Sequence, residues 1–287
     1  MKILVLGANG MLGHVMLRTL AADRSHDVTG TVRSAALLHA LAAGWGARLI
    51  SGIDVVQPDA LIRAFADVRP DLVVNCVGLV KQLADARDPL HAIPVNALLP
   101  HRLAALCQVA GARLVHVSTD CVFAGSRGHY REEDAADAED LYGRSKLLGE
   151  VDYPHALTLR TSIIGPELSG NHGLLAWFLS QPGTVRGYRR AIFSGLPTVE
   201  LATVIRDRVL PRPDLHGLYH VASSSIDKYE LLRLIAAAYA RSNGITPDDV
   251  VAVDRSLDGS RFAAATGYVA APWPELVRRM HESGQTA

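Results

Sequence analysis

Tyr142 and Lys146 stand four residues apart in the stretch LYGRSK, residues 141–146. On a helix, positions i and i+4 share one face. One reading is an amphipathic surface helix with the ring half buried and the ammonium in water. The other is a proton donor whose pKa is held down by a neighbouring cation. Ser118, Thr119 and Asp120 end an apolar run, LVHVSTDCVF (114–123). Hydroxyls at the carboxyl end of a strand either bind a carbonyl oxygen or close the strand in a side-chain turn.

The third group is Gly7-Ala8-Asn9-Gly10-Met11-Leu12-Gly13, directly after the apolar run KILVL (2–6). Glycines allow a tight turn and a close approach to a pyrophosphate, and the following helix offers free amides to the phosphates. Glycine spacing gains meaning from a strand before it and a helix after it. The end of the second strand, Thr29-Gly30-Thr31-Val32-Arg33-Ser34, carries no carboxylate. An acidic residue there would serve a free ribose hydroxyl, whereas Arg33 and Ser34 suit a 2′-phosphate. This favours NADP over NAD. Asp54 and Val55, just past the third strand, are placed to hold the adenine; Asp54 could equally cap the next helix.

These residues need elements to carry them, and the first half of the chain supplies an alternation. Strands are expected at 2–6, 26–32, 47–51, 71–78 and 113–119. Helices are expected at 11–22, 34–44, 58–68 and 96–111, with Pro58 in a first turn. Strands alternating with helices, and showing little polar alternation, predict a parallel sheet covered on both faces: a doubly wound α/β fold. Residues 156–165 and 217–223 read as further strands. The expected division is a Rossmann domain at 1–165, with the strand near 217–223 added to it, and a smaller substrate-binding lobe at 166–287. The pieces of that lobe read as irregular and rich in Gly and Pro, including the tail from Thr246.

Bulk properties set limits. The 287 residues are 49% apolar, and 29 basic residues balance 29 acidic ones. That composition is globular and argues against a nucleic-acid platform or a membrane-surface binder. The three cysteines, Cys76, Cys107 and Cys121, show no C-x-x-C spacing. An odd, scattered set points to the reducing cytoplasm. The N-terminal apolar run is broken by glycines, so neither a signal peptide nor a membrane span is expected. His216 and His220 lack a third ligand nearby in sequence, so no metal is expected. Residues 131–140, REEDAADAED, read as a solvated loop.

Glycine turn, hydroxyl strand end and Tyr-x-x-x-Lys helix occur in that order. The chain therefore resembles the extended short-chain dehydrogenase/reductase superfamily, and within it the dTDP-4-dehydrorhamnose reductase family of sugar-nucleotide reductases. The residues that carry the resemblance are GANGMLG (7–13), NCVG (75–78), VNA (95–97), HVSTDCVFAG (116–125), YGRSKLLGE (142–150), LRTSIIG (159–165) and LPT (196–198). It implies NADPH-dependent reduction of a 4-keto-6-deoxy nucleotide sugar. Tyr142 would be the general acid, Lys146 its tuner and a ligand of the nicotinamide ribose, and Thr119 the hydroxyl that orients the carbonyl.

The resemblance also implies cofactor contacts from Gly7, Asn9, Gly10, Met11, Leu12, Gly13, Cys76, Val77 and Gly78. Asn96 would steady the site from beneath. Asp120 would bind a sugar hydroxyl. Cys121 and Ile163 stand where the family usually has aromatic residues, which leaves the sugar open. Lys81, Arg255 and Arg261 are candidates for the diphosphate, with Arg186, Arg189 and Arg190 completing a positive wall in the second lobe. A homodimer is compatible with this family. Two alternatives share the fold: an epimerase or dehydratase that retains its nucleotide, and a non-catalytic regulatory subunit.

Overall fold

The computed structural model describes residues 1–34, 45–81, 84–168 and 170–285. The helix expected at 34–44 falls almost wholly outside them. Fourteen strands can be followed among the described residues: β1 (Lys2–Leu6), β2 (Asp27–Thr31), β3 (Arg48–Ile50), β4 (Leu72–Asn75), β5 (Arg113–Thr119), β6 (Ala156–Thr161), β7 (Ile163–Ile164), β8 (Val185–Tyr188), β9 (Ala191–Phe193), β10 (Leu196–Pro197), β11 (Gly217–His220), β12 (Ile226–Asp227), β13 (Ile245–Asp248) and β14 (Val253–Asp254). Seven of them form one sheet in the order β11-β6-β5-β4-β1-β2-β3. Every neighbouring pair in it is parallel.

The order reverses between β1 and β4, because the chain winds outward in opposite directions from these two strands. A crevice opens at the carboxyl ends beside such a switch point. The apolar run of β1 has a simple cause. Ile3 and Val5 enter the core on one face of the sheet, and Leu4 and Leu6 enter the core on the other. Side chains alternate along a strand, so a strand covered on both faces is apolar throughout.

The helices that matter for the site follow from local sequence. Helix α1 (Gly13–Ala21) starts at the glycine turn and buries Val15, Met16, Leu17 and Leu20. Helix α2 (Pro58–Val68) has proline in its first turn and buries Ala60, Leu61, Ala64, Phe65 and Val68, the spacing of one helical face. Helix α3 (Leu99–Ala110) is entered through a helical turn, Pro89–Ala92, and a π segment, Ile93–Leu98. It stops at Gly111, whose φ is 68°. Helix α4 (Leu141–Leu148) is capped by Asp140, whose carboxylate accepts from the Gly143 amide at 2.9 Å.

The second half is more regular than its Gly- and Pro-rich sequence suggests. The stretch 156–165 is not one strand: it breaks at Ser162, and β7 leaves the large sheet to pair with β10. Strand β8 pairs with β13, and β9 is flanked by β12 and β14. Helices α5 (Leu174–Ser180), α6 (Thr198–Val204), α7 (Lys228–Ala238), α8 (Ser260–Thr266) and α9 (Trp273–Gln285) fill the spaces between. The expectation of an irregular tail is therefore corrected. Helix α9 buries Trp273, Leu276, Val277 and Met280, a 3.6-residue period that was readable in WPELVRRMHESGQ.

Candidate active site

A cavity of about 250 Å³ lies at the switch point, lined by residues from the ends of β1, β2 and β4 and from the loop after β3. Of the expected cofactor residues it is lined by Gly7, Asn9, Gly10, Arg33, Asp54, Val55, Cys76, Val77 and Gly78. The glycine turn is tight: a Cβ on Gly13 would lie 1.9 Å from the Gly7 carbonyl oxygen, so no other residue fits. The amides of Met11 and Leu12 bond no backbone carbonyl among the described residues. Neither residue lines the cavity itself, but both belong to the turn that opens α1, whose first amides lack intrahelical partners. Leu12's side chain itself belongs to the core, and the Met11 side chain lies against Gly173 of the second lobe.

Arg33 and Ser34 are exposed at the rim. Asp54 accepts from the Val56 amide at 3.1 Å and its backbone carbonyl from Gln57, so it shapes the turn into α2 while also lining the cavity. These groups fit a phosphorylated dinucleotide. The turn and the helix N-terminus would meet the pyrophosphate, a guanidinium stands past β2, and no carboxylate stands at the end of β2 to repel a 2′-phosphate.

The chemical groups gather at the end of β5. Gly143 lets α4 press against this strand end, since a Cβ there would lie 2.3 Å from the Cys121 carbonyl oxygen. Thr119 is buried, donates to Asp120 Oδ1 at 3.2 Å and accepts from the Cys121 amide at 3.1 Å. The Tyr142 phenol is raised above its usual pKa, first by burial and then by the neighbouring Cys121. A hydrogen bond with the Thr119 hydroxyl acts the other way. Lys146 is buried, and its Nζ donates to the Val117 carbonyl at 2.9 Å. Burial lowers its pKa to about 8, against a raising influence from Glu150. A Cβ on Gly78 would lie 3.9 Å from Lys146 Nζ, so the lysine borders the cavity.

Asn96 is fully buried. Its Oδ1 accepts from the Leu79 amide at 2.9 Å and its Nδ2 donates to Ser145 Oγ at 3.3 Å. It thus ties the loop after β4 to the helix of Tyr142 and Lys146. Behind the site, Glu150 accepts from Ser118 Oγ at 2.7 Å and pairs with Arg160 at 2.6 Å, both partners being nearly shielded from water. Arg160 continues to His220 Nε2 at 3.2 Å, and His220 Nδ1 meets the Tyr130 carbonyl. His220 is therefore part of a structural network. No group that could hold a metal is found among the described residues.

The expected substrate residues divide. Asp120 is buried, which raises its carboxyl pKa, while Arg255 leads the groups that hold it down. Burial pushes the Cys121 thiol up to about 12. Ile163 is half-buried on β7. Lys81 pairs with Asp140 Oδ2 at 2.7 Å, at the cap of α4. Arg255 Nε donates to the Phe123 carbonyl at 2.7 Å, just past Asp120.

Arg261 sits elsewhere, its guanidinium 5.2 Å from the centre of the Tyr219 ring on β11. Two of the three arginines expected to add to the positive wall, Arg186 and Arg189, are already paired. Arg186 pairs with Asp248, and Arg189 pairs with Asp249. The loop 131–140 is only partly solvated: the half-buried Glu132 accepts from the His220 amide at 2.8 Å. Lys228, which sequence reasoning passed over, faces Asp120, Cys121 and Arg255 from the start of α7.

The sequence matches the family described as the RmlD substrate binding domain over residues 1–282. It is 33% identical over 236 residues to the probable low-salt glycan biosynthesis reductase Agl14 of Haloferax volcanii, covering 78% of this chain and 75% of that one. It is 36% identical over 167 residues to the dTDP-4-dehydrorhamnose reductase of Burkholderia thailandensis, covering 56% of this chain and only 50% of that one. The dTDP-4-dehydrorhamnose reductase of Bacillus anthracis, solved in complex with NADP, superposes with a TM-score of 0.78 at 21% identity over 97% of both chains, a likeness of fold. A seven-stranded parallel sheet with its glycine turn, Tyr142 and Lys146 at the carboxyl edge, and a match along almost the whole length lead to one conclusion: the chain belongs to the RmlD substrate-binding-domain family, within the extended short-chain dehydrogenase/reductases.

Proposed function

We propose that the protein is an NADPH-dependent reductase of a 4-keto-6-deoxy nucleoside-diphosphate sugar, acting in deoxysugar biosynthesis. The observation that carries this reading is that the Thr119 and Tyr142 hydroxyls meet at the end of β5, while Lys146, one turn further along α4, reaches Gly78 on the cavity wall. NADPH, when bound, supplies the hydride. Thr119 orients the keto oxygen by its hydroxyl. Tyr142 gives its phenolic proton to the oxygen as the carbonyl becomes an alkoxide, so one hydride and one proton yield the alcohol. Lys146, held by the Val117 carbonyl beside Gly78, would meet the nicotinamide ribose. Arg33, with no acidic neighbour on its strand end, supports NADP over NAD.

This reading includes a homodimer and a cytoplasmic setting. Leu90 and Leu148, 81% and 64% exposed, stand with Ile93 and Leu98 on helical segments that pack side by side, and an apolar face of this kind suits a second copy. Sedimentation velocity checks it. The three cysteines are free, and no helix among the described residues is long and apolar enough to cross a membrane.

The test is incubation with NADPH and a panel of 4-keto-6-deoxy nucleotide sugars, with products identified by NMR. One NADPH oxidised per alcohol formed is expected. Conversion of a nucleotide sugar with no net oxidation would replace the reductase by an epimerase or a dehydratase.

A further inference from the structure

Lys228 breaks local rules. It is the first residue of α7, where the helix dipole disfavours a cation. It is half-buried, and burial lowers its pKa. Among the described residues its ammonium donates no hydrogen bond and closes no ion pair within 4.0 Å. A desolvated charge without a partner is costly, and such violations gather where a ligand completes the site.

The small sheet fixes where this cation stands. Asp227 pairs with Ile192 of β9 from one side, and Asp254 pairs with the same Ile192 from the other. Because β12 runs antiparallel to β9 and β14 parallel to it, Lys228 continues toward the Ala191 end of β9 and Arg255 toward the Phe193 end, on strands about 10 Å apart, so only their long side chains can converge on one place. The sheet is tied to the segment after β5: the Asp254 amide donates to the Gly125 carbonyl at 2.8 Å, and Arg255 Nε to that of Phe123. The Lys228 ammonium stands within electrostatic reach of Asp120, yet the two form no ion pair within 4.0 Å.

We propose that Lys228 is a substrate-positioning residue that, opposite Asp120, holds one ring hydroxyl of the sugar. A hydroxyl both donates and accepts. It would give its proton to the Asp120 carboxylate and take a bond from the Lys228 ammonium, filling a gap that the two charges leave between them. A phosphate group in the same place would set an anion against Asp120. The proposal rests on the reductase reading and adds to it the residue that selects the sugar.

Lys228→Met keeps the stem and removes the charge. We would compare kcat/KM for the preferred keto-sugar nucleotide and for its monodeoxy analogues, with NADPH affinity and melting temperature as controls for folding. The expected result is a loss of roughly tenfold to a hundredfold on the parent sugar, the worth of one charge-assisted bond. That loss should disappear for the one analogue lacking the contacted hydroxyl, and Lys228→Arg should restore part of the activity. Lys228→Gln is read the same way if the methionine variant does not fold. Equal losses on the parent and on every analogue, or no loss, would overturn the proposal. So would a loss that vanishes only when the nucleotide is removed, which would place the ammonium on the diphosphate. An inactive wild-type enzyme across the whole panel would instead overturn the reductase reading, and the proposal with it.

Discussion

Two ion pairs show how differently the two lobes use charge. Glu150 and Arg160 are buried, with side chains only 10% and 5% exposed, and they join the end of β5 to the end of β6 behind α4. Arg189 and Asp249 are about half exposed and join two surface turns of the small lobe. The buried pair is shielded and locked, and it braces the end of β5 beside Thr119. Several pairs in the second half of the chain stand in water like this one, whereas Glu200, paired with Arg279, is buried and Arg255 and Lys228 are half-buried. The proposed chemistry rests on the shielded pair, and the proposed recognition on the half-buried charges of the second half.

Breaking the buried pair should have the largest effect. Arg160→Met leaves the Glu150 carboxylate without its partner, a change that typically costs about 3–5 kcal/mol. Urea unfolding should show it, as a lower midpoint at unchanged slope. A loss near zero would mean that water reaches Glu150 readily, and the contrast between the lobes would fail.

Tyr142→Phe keeps the ring in its pocket and removes the proton. Turnover should fall by roughly two orders of magnitude or more while NADPH still binds. Near-normal turnover would remove Tyr142 as the acid.

Lys146 lets pH sharpen the same contrast. Burial lowers its pKa to about 8, so the ammonium is intact below that pH and lost above it. In the reducing direction kcat/KM should be flat below about pH 8 and fall as the pH rises past it, by about tenfold per unit at the limit. Glu150 raises the pKa of Lys146, so Glu150→Gln should move this limb to lower pH. A limb that stays in place in that variant would separate the buried pair from the chemistry.

At the cofactor, Arg33→Ala should weaken NADPH about tenfold or more and leave NADH nearly unchanged, measured by titration. Equal losses for the two cofactors would take Arg33 off the phosphate.

The contrast also explains what was legible in the sequence. The first lobe is built from short-range signals. KILVL, the glycine turn, Pro58 before an apolar helical face and RLVHVST each state their own element, and their order states the doubly wound fold. Thr119, Tyr142 and Lys146 come together because a strand end and one helix face suffice to bring them together. In the second lobe the decisive contacts span long stretches of chain. Arg186 finds Asp248 and Arg189 finds Asp249 across roughly sixty residues, so arginines that look free in the sequence are paired in the fold. Lys228 was missed for the same reason, because its neighbour Asp120 lies on another lobe. Helix α9 is a different case. Its period was present, and the Gly- and Pro-rich surroundings drew attention away from it.

The smallest effect belongs to the exposed pair, and it is the sharpest test of the contrast. Arg189 was a candidate for the diphosphate wall on sequence alone. In the fold its guanidinium meets the Asp249 carboxylate with both side chains about half exposed, so screening and side-chain entropy cancel most of the attraction. Arg189→Ala should therefore leave the melting temperature unchanged within error and leave kcat/KM for the nucleotide sugar within about twofold of wild type. Arg255→Ala, whose guanidinium influences the buried Asp120, should lower kcat/KM clearly more. If Arg189→Ala instead lowers kcat/KM tenfold and does so only for substrates that carry the nucleotide, the surface pair opens during binding. The small lobe would then recruit its outer charges to the diphosphate, and the division between locked and recognising charge would have to be drawn further out on the molecule.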